Sequence, residues 1–147
     1  MNQPGRIEVG QGPTSPGLTL RALARYGDRV AFSGHGGTLT YAQSLDRVGR
    51  YQAVYARMGV TRGERIALLT SNRADSWLAS VAASALGLCT TALHPLGSLD
   101  DHLFAIEDGA VSYLIVDAYA YAERGGELVE KAPSLRHTFT IGATDYG

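Results

Sequence analysis

Four stretches of this chain hold residue types able to do chemistry. His94, Asp100, Asp101 and His102 fall close together and offer nitrogen and carboxylate donors to a metal ion. Their spacing matches no zinc pattern. Asp100 and Asp101 also fall in the first turn of an expected helix, where acids stabilise the positive end of the helix dipole. His35-Gly36-Gly37 follows an apolar stretch in the manner of an esterase oxyanion loop. That chemistry requires a Gly-x-Ser-x-Gly nucleophile elbow, which the chain lacks, so a hairpin turn is the reading kept. Gly10-Gln11-Gly12-Pro13-Thr14-Ser15-Pro16-Gly17 loosely resembles a phosphate loop. No strand precedes it, no Lys-Ser/Thr pair closes it, and its prolines remove N–H donors. Cys89 lies in the apolar run Leu86-Gly87-Leu88-Cys89, where a buried, inert thiol is expected.

Other polar residues read as structure. The turn Thr70-Ser71-Asn72-Arg73 has no glycine, so a pyrophosphate could not approach its backbone closely. Asn72, with Asp75 three residues on, is expected to cap a helix. Tyr51, Tyr55, Tyr119 and Tyr121 are read as packed edges of helices, and His137 as packed beside Phe139 and Ile141 on a strand. Nothing assembles an acid–base pair, a nucleophile–base pair or an oxyanion cradle. The residues read as an α/β domain with no visible active site.

The elements that would position these groups alternate between strand and helix. Residues 1–17 carry four glycines and three prolines and are expected to form a flexible arm. Thr19 is the expected cap of a short helix reaching Tyr26. Val30–Phe32 and Thr38–Tyr41 read as two strands joined through Gly34-His35-Gly36-Gly37. Thr40 and Gln43 have capping-box spacing ahead of the stripe Leu45, Val48, Tyr51, Tyr55 and Met58, and Gly59 ends that helix. Asp46 and Arg50 add an i,i+4 pair. Then follow a strand over Arg65–Thr70, a helix ending near Gly87 and a strand over Cys89–Leu93. A helix capped by Ser98 and Asp101 closes at Gly109. The apolar strand at Tyr113–Val116 is bounded by Asp117. A helical stretch from Ala118 to Ala132 is expected to be split by Gly125-Gly126, and Arg136–Ile141 reads as a last strand. Apolar strands spaced by helices imply an α/β fold: a mostly parallel sheet with helices on both faces.

Bulk properties narrow the function classes. With 147 residues, 45% hydrophobic and 18% charged, the chain suits one ordinary globular domain. A net charge of −1 argues against a nucleic-acid binder, which needs a basic face. The charge is polarised. Residues 1–73 hold ten arginines against four acids, a net of +6, and residues 74–147 hold three basic residues against ten acids, a net of −7. A single cysteine rules out an internal disulfide and fits a cytoplasmic location. The amino terminus has no apolar signal-peptide core. Ser76–Leu99 is free of charge, but its Ser, Thr, Gly and Pro content suits a buried helix and strand rather than a membrane span.

The run from Gly59 to Asn72, Gly-Val-Thr-Arg-Gly-Glu-Arg-Ile-Ala-Leu-Leu-Thr-Ser-Asn, resembles the opening third of AMP-forming acyl-CoA synthetases. So do Asp28-Arg29-Val30-Ala31-Phe32, Leu39-Thr40-Tyr41, Ala82–Gly87 with the later Pro95, and Ala110–Asp117, in the same order and spacing. Leu93-His94-Pro95-Leu96-Gly97 departs from the pattern, since the family commonly has Asn near His94. The resemblance implies an enzyme that activates a carboxylic acid, such as a fatty acid, with ATP and magnesium and passes it to coenzyme A. It also implies that the phosphate loop, the magnesium-binding glutamate and the late hinge and lysine lie downstream of Gly147. No catalytic, cofactor-binding or metal-binding residue is therefore assigned here, and substrate-binding residues stay unassigned.

Residues 18–147 are accordingly expected to be an amino-terminal α/β subdomain of an AMP-binding ligase, inactive alone and without cofactor. Its partner would be the remainder of the ligase, and its uncovered apolar surface would favour self-association. The competing expectation is a complete small α/β module for ligand binding, regulation or interaction, without catalysis.

Overall fold

A computed structural model describes residues 14–34 and 37–146. The chain divides into two compact units, Met1–Leu45 and Asp46–Gly147. The first holds helix α1 (Ser15–Tyr26) and the antiparallel strands β1 (Val30–Gly34) and β2 (Gly37–Thr40). Helix α2 (Tyr41–Arg57) runs from the first unit into the second. The second continues with β3 (Arg65–Leu69), α3 (Ala74–Ala85), β4 (Cys89–Ala92), α4 (Leu99–Asp108), β5 (Tyr113–Asp117), α5 (Ala118–Lys131) and β6 (His137–Ile141).

In the first unit, α1 starts earlier than Thr19. Thr14 is its N-cap, and the Thr14 hydroxyl accepts from the Gly17 amide at 3.2 Å. Pro16 fits because the first-turn amides of a helix are unpaired anyway. The expected flexible arm thus loses Thr14–Gly17 to the helix, and residues 1–13 lie outside the described residues. The loop joining β1 to β2 includes His35 and Gly36, which also lie outside them. The Tyr26 and Tyr41 rings meet edge to face at 5.3 Å.

The capping box at the start of α2 forms as its spacing required. The Gln43 amide donates to the Thr40 hydroxyl at 3.2 Å, and the Thr40 amide donates to Gln43 Oε1 at 2.9 Å. Gly59, at φ +72°, then takes the left-handed conformation that stops the helix. Of the expected apolar stripe, Val48 and Tyr55 are buried, whereas Met58 is exposed.

The second unit is built on a parallel sheet in the order β4-β3-β5-β6. Ala67, Leu69, Leu114 and Val116 point from β3 and β5 into a core completed by Ile106 of α4 and Leu128 of α5. Strand residues alternate between faces. Hence Ile66, Leu68, Tyr113 and Ile115, all buried, occupy the other face. There Tyr55 of α2 packs edge-on against Phe139, with ring centroids 5.0 Å apart, and its hydroxyl donates to the Ala79 carbonyl of α3. Burial of a side chain such as Leu114 contributes about 1.5–3 kcal/mol. The parallel α/β sheet with helices on both faces is therefore present.

Three local expectations fail for tertiary reasons. Asn72 caps nothing: Arg73 is the N-cap of α3 without a side-chain cap bond, and Asp75 instead pairs with Arg47 at 2.6 Å and accepts from the Tyr51 hydroxyl at 3.0 Å. Gly125-Gly126 does not split α5, whose irregular residue is Tyr121 (φ −133°, ψ 23°). Gly125 is needed because a Cβ there would stand 2.8 Å from Val116 Cγ1 and collide with the Tyr146 hydroxyl. Cys89 is exposed rather than buried, because β4 is an edge strand.

Candidate functional site

Parallel sheets of this type bind ligands outside the carboxyl ends of their strands, where the strand order reverses. Here that point lies between β3 and β5, since the chain leaves β3 for β4 on one side and returns to β5 on the other. The turn after β3 brings Ser71 and Arg73 to this crevice, and the end of β5 brings Asp117. The Asp117 side chain is wholly buried. It accepts from the Ser71 hydroxyl and, as N-cap of α5, from the Tyr119 amide at 3.1 Å. Arg73 Nε lies 4.0 Å from the carboxylate, and its guanidinium covers the exposed Tyr119 ring at 4.4 Å. Tyr119 is thus a partner for Arg73 rather than a buried helix edge.

This arrangement joins two loops but does no acid–base chemistry by itself. The Ser71 hydroxyl donates to Asp117, and both Asp117 oxygens already accept hydrogen bonds. A buried carboxylate with a hydroxyl, an amide and a nearby guanidinium is compensated rather than poised to react.

Beyond the carboxyl end of β4, the histidines foreseen as metal donors are engaged elsewhere. His102 is buried, and its Nδ1 accepts from Arg124 Nη1 at 3.3 Å. The proton therefore sits on Nε2, which donates to the His94 carbonyl at 2.7 Å. Arg124 also donates to the Gly97 carbonyl at 3.0 Å. His94 Nδ1 accepts from the Leu96 amide, and Asp101 is held in a capping box with Ser98. The Ser98 hydroxyl and amide hold the Asp101 carboxyl below its ordinary value. Among the described residues, no group of three or more His, Cys, Asp or Glu side chains could hold a metal. The donors described here do not fit magnesium.

The opposite end of the sheet carries a different cluster. Glu64 accepts from the Thr61 amide at 2.6 Å, from Arg136 and from the Tyr113 hydroxyl at 2.9 Å. The Thr61 amide first and Arg136 second hold its carboxyl down at about 2. Arg136 lies over the Tyr113 ring at 4.9 Å. His137 stacks on the same ring, with centroids 6.1 Å apart, but is exposed rather than packed inside the fold.

The sequence marks Asp117 as the boundary of a strand and pairs neither it nor Glu64 with a distant partner. Ser71 and Asp117 are separated by 46 residues and Glu64 and Arg136 by 72. The one usable signal was a carboxylate placed directly at the end of an apolar strand.

The comparisons with known proteins bear on this scaffold directly. The model of the AMP-binding enzyme family matches residues 20–145. The chain belongs to that family. It is 37% identical to a medium/long-chain fatty-acid–CoA ligase of Mycobacterium tuberculosis over 92% of its own length, and spans 24% of that relative. An amide bond synthetase from Marinactinospora thermotolerans superposes with a TM-score of 0.81 at 25% identity, over 93% of this chain and 27% of the other. A long-chain fatty-acid–CoA ligase from Archaeoglobus fulgidus, 16% identical, shares the fold with a TM-score of 0.79 over 92% of this chain and 29% of the other. This family member thus spans about a quarter of the curated relative it matches. Among the described residues no helix is long and apolar enough to cross a membrane.

Proposed function

We propose that the chain is the amino-terminal scaffold portion of an ATP-dependent ligase that adenylates a carboxylic acid, in the fatty-acid class, and transfers it to coenzyme A. ATP, magnesium and coenzyme A would be used by the whole enzyme and held by residues outside this portion. The observation that carries the reading is the 37% identity to a fatty-acid–CoA ligase, spread over nearly all of this chain but a quarter of that one. The crevice between β3 and β5 is bridged by hydrogen bonds from the Ser71 hydroxyl and the Tyr119 amide to Asp117. Alone, the portion is inactive, resides in the cytoplasm, and associates with the rest of a ligase or, lacking that, with itself.

The test has two arms. The purified chain, given ATP, magnesium and medium- or long-chain fatty acids, is expected to catalyse no ATP–pyrophosphate exchange. A chimaera of the Mycobacterium tuberculosis relative, with this chain in place of the matching segment, is expected to form acyl-CoA. Exchange by the chain alone, or a folded but inactive chimaera, would overturn the reading.

A further inference from the structure

His102 is a buried titratable group that the proposed ligation does not use. It is 2% exposed and stands on α4 against the loop from His94 to Ser98, which leaves the carboxyl end of β4. Its Nε2 donates to the His94 carbonyl at 2.7 Å, and its Nδ1 accepts from Arg124 Nη1 at 3.3 Å. The same Nη1 donates to the Gly97 carbonyl at 3.0 Å. One nitrogen of α5 therefore holds ring and loop together. A Cβ at Gly97 would stand 2.6 Å from His102 Nε2, so the ring is seated directly against loop backbone. On the other side of the guanidinium, Arg124 Nε donates to Glu127 at 2.8 Å. The charged and titratable groups around the ring thus come from three elements: Arg124 and Glu127 of α5, Asp101 of α4 itself, and His94 of the loop. Asp101 is taken up by its capping box with Ser98, and the exposed His94 ring accepts from the Leu96 amide.

We infer that His102 is a proton-operated latch: its neutral ring locks the loop from His94 to Ser98 onto α5, and its protonation unlocks that loop. Nδ1 accepts only while it carries no proton. A proton taken there from solvent turns the acceptor into a donor and adds a positive charge 3.3 Å from a guanidinium nitrogen. Glu127 gives Arg124 a place to remain when Nη1 withdraws, and Nη1 takes its bond to the Gly97 carbonyl with it. Nε2 keeps its proton and its bond to the His94 carbonyl in both states. The loop therefore pivots about His94 and does not leave as a whole. Histidine suits this task because its ordinary titration falls nearest to neutral pH. The loop lies at the end of the sheet where folds of this type hold ligands, so the latch sets the order of one rim of that region.

Nuclear magnetic resonance of the purified chain over a pH series tests this. Imidazole nitrogen shifts are expected to show His102 as the Nε2–H tautomer at neutral pH. As the ring takes up its second proton, the Gly97 amide is expected to shift with the same midpoint. Its protection, corrected for the intrinsic pH dependence of exchange, should fall about tenfold while the β3 amides hold. His102→Gln keeps a donor for the His94 carbonyl but takes no proton in this range, and is expected to hold the loop at every pH. His94→Asn removes the other imidazole and is expected to leave the response in place. A ring that stays neutral until the whole chain unfolds, an Nδ1–H tautomer at neutral pH, a protonated ring beside an unchanged loop, or a response that persists in folded His102→Gln would each overturn the inference. The titration of the parent chain decides the matter even where a variant fails to fold, and none of these outcomes depends on ligase chemistry.

Discussion

The two ends of the parallel sheet hold polar clusters of opposite character. At the carboxyl end, Asp117 is wholly buried and bonded to groups on two loops. At the amino end, Glu64 and Arg136 meet where water reaches both, and Tyr113 contributes its hydroxyl from a buried ring. Both clusters tie together strands distant in sequence. Their energetics differ because a buried charge left without partners is costly, whereas a wet ion pair competes with solvent and salt. The carboxyl end thus depends on a buried, fully bonded carboxylate, and the amino end on a solvent-accessible pair whose Glu64 carboxyl is held low.

The largest break in that contrast should come from Asp117→Ala. It removes the acceptor for the Ser71 hydroxyl and the cap of α5 and leaves a void, at an expected cost of about 3 kcal/mol. Urea denaturation would measure it. A change below about 0.5 kcal/mol would mean that the two loops are held by something else. Gly125→Ala comes next, at about 2 kcal/mol, because the added methyl meets Val116 and the Tyr146 hydroxyl in a packed core. A tyrosine-to-phenylalanine change at Tyr146 should relieve only part of it, since the contact with Val116 remains.

Arg124→Ala should cost about 1 kcal/mol by releasing the Gly97 carbonyl and His102 Nδ1. Its expected signature is faster amide exchange in the loop from His94 to Ser98, with the β3 amides unchanged. The smallest effect belongs to Glu64→Gln, read as a pH profile. Glu64 has a folded-state value near 2 against an ordinary 4.5, so the stability it adds is complete above 4.5 and is lost as pH falls toward 2. The variant should lose less stability than the parent across that interval and differ little in slope near neutrality. Identical profiles would show that Arg136 and the Thr61 amide do not favour the ionised form.

Features set by neighbours in sequence were readable in advance. The capping boxes at Thr40/Gln43 and Ser98/Asp101 formed because all their atoms lie within one helical turn. Gly59 ended its helix for the same reason. Asn72 satisfied the same local rule and failed: Arg73 is the N-cap of α3, and Asp75 bonds to Arg47 and Tyr51 on another helix. Gly125-Gly126 read as a helix break because glycine disfavours helices locally, whereas its role is to let α5 approach β5. Cys89 looked buried from its apolar neighbours, but exposure follows from the place of β4 in the sheet, which local hydropathy does not record. Of the candidate site, Asp117 was visible as a strand boundary and its link to Ser71 was not.

By itself the sequence determined the alternation of strands and helices, the parallel sheet and the resemblance to AMP-forming ligases. These rest on periodicity, caps and short motifs, which act over a few residues. Only the tertiary structure decided which strand became an edge, which glycine had to lack a side chain and which carboxylate went into the dark. Strand order and helix packing bring together residues tens of positions apart, and no local pattern encodes that meeting.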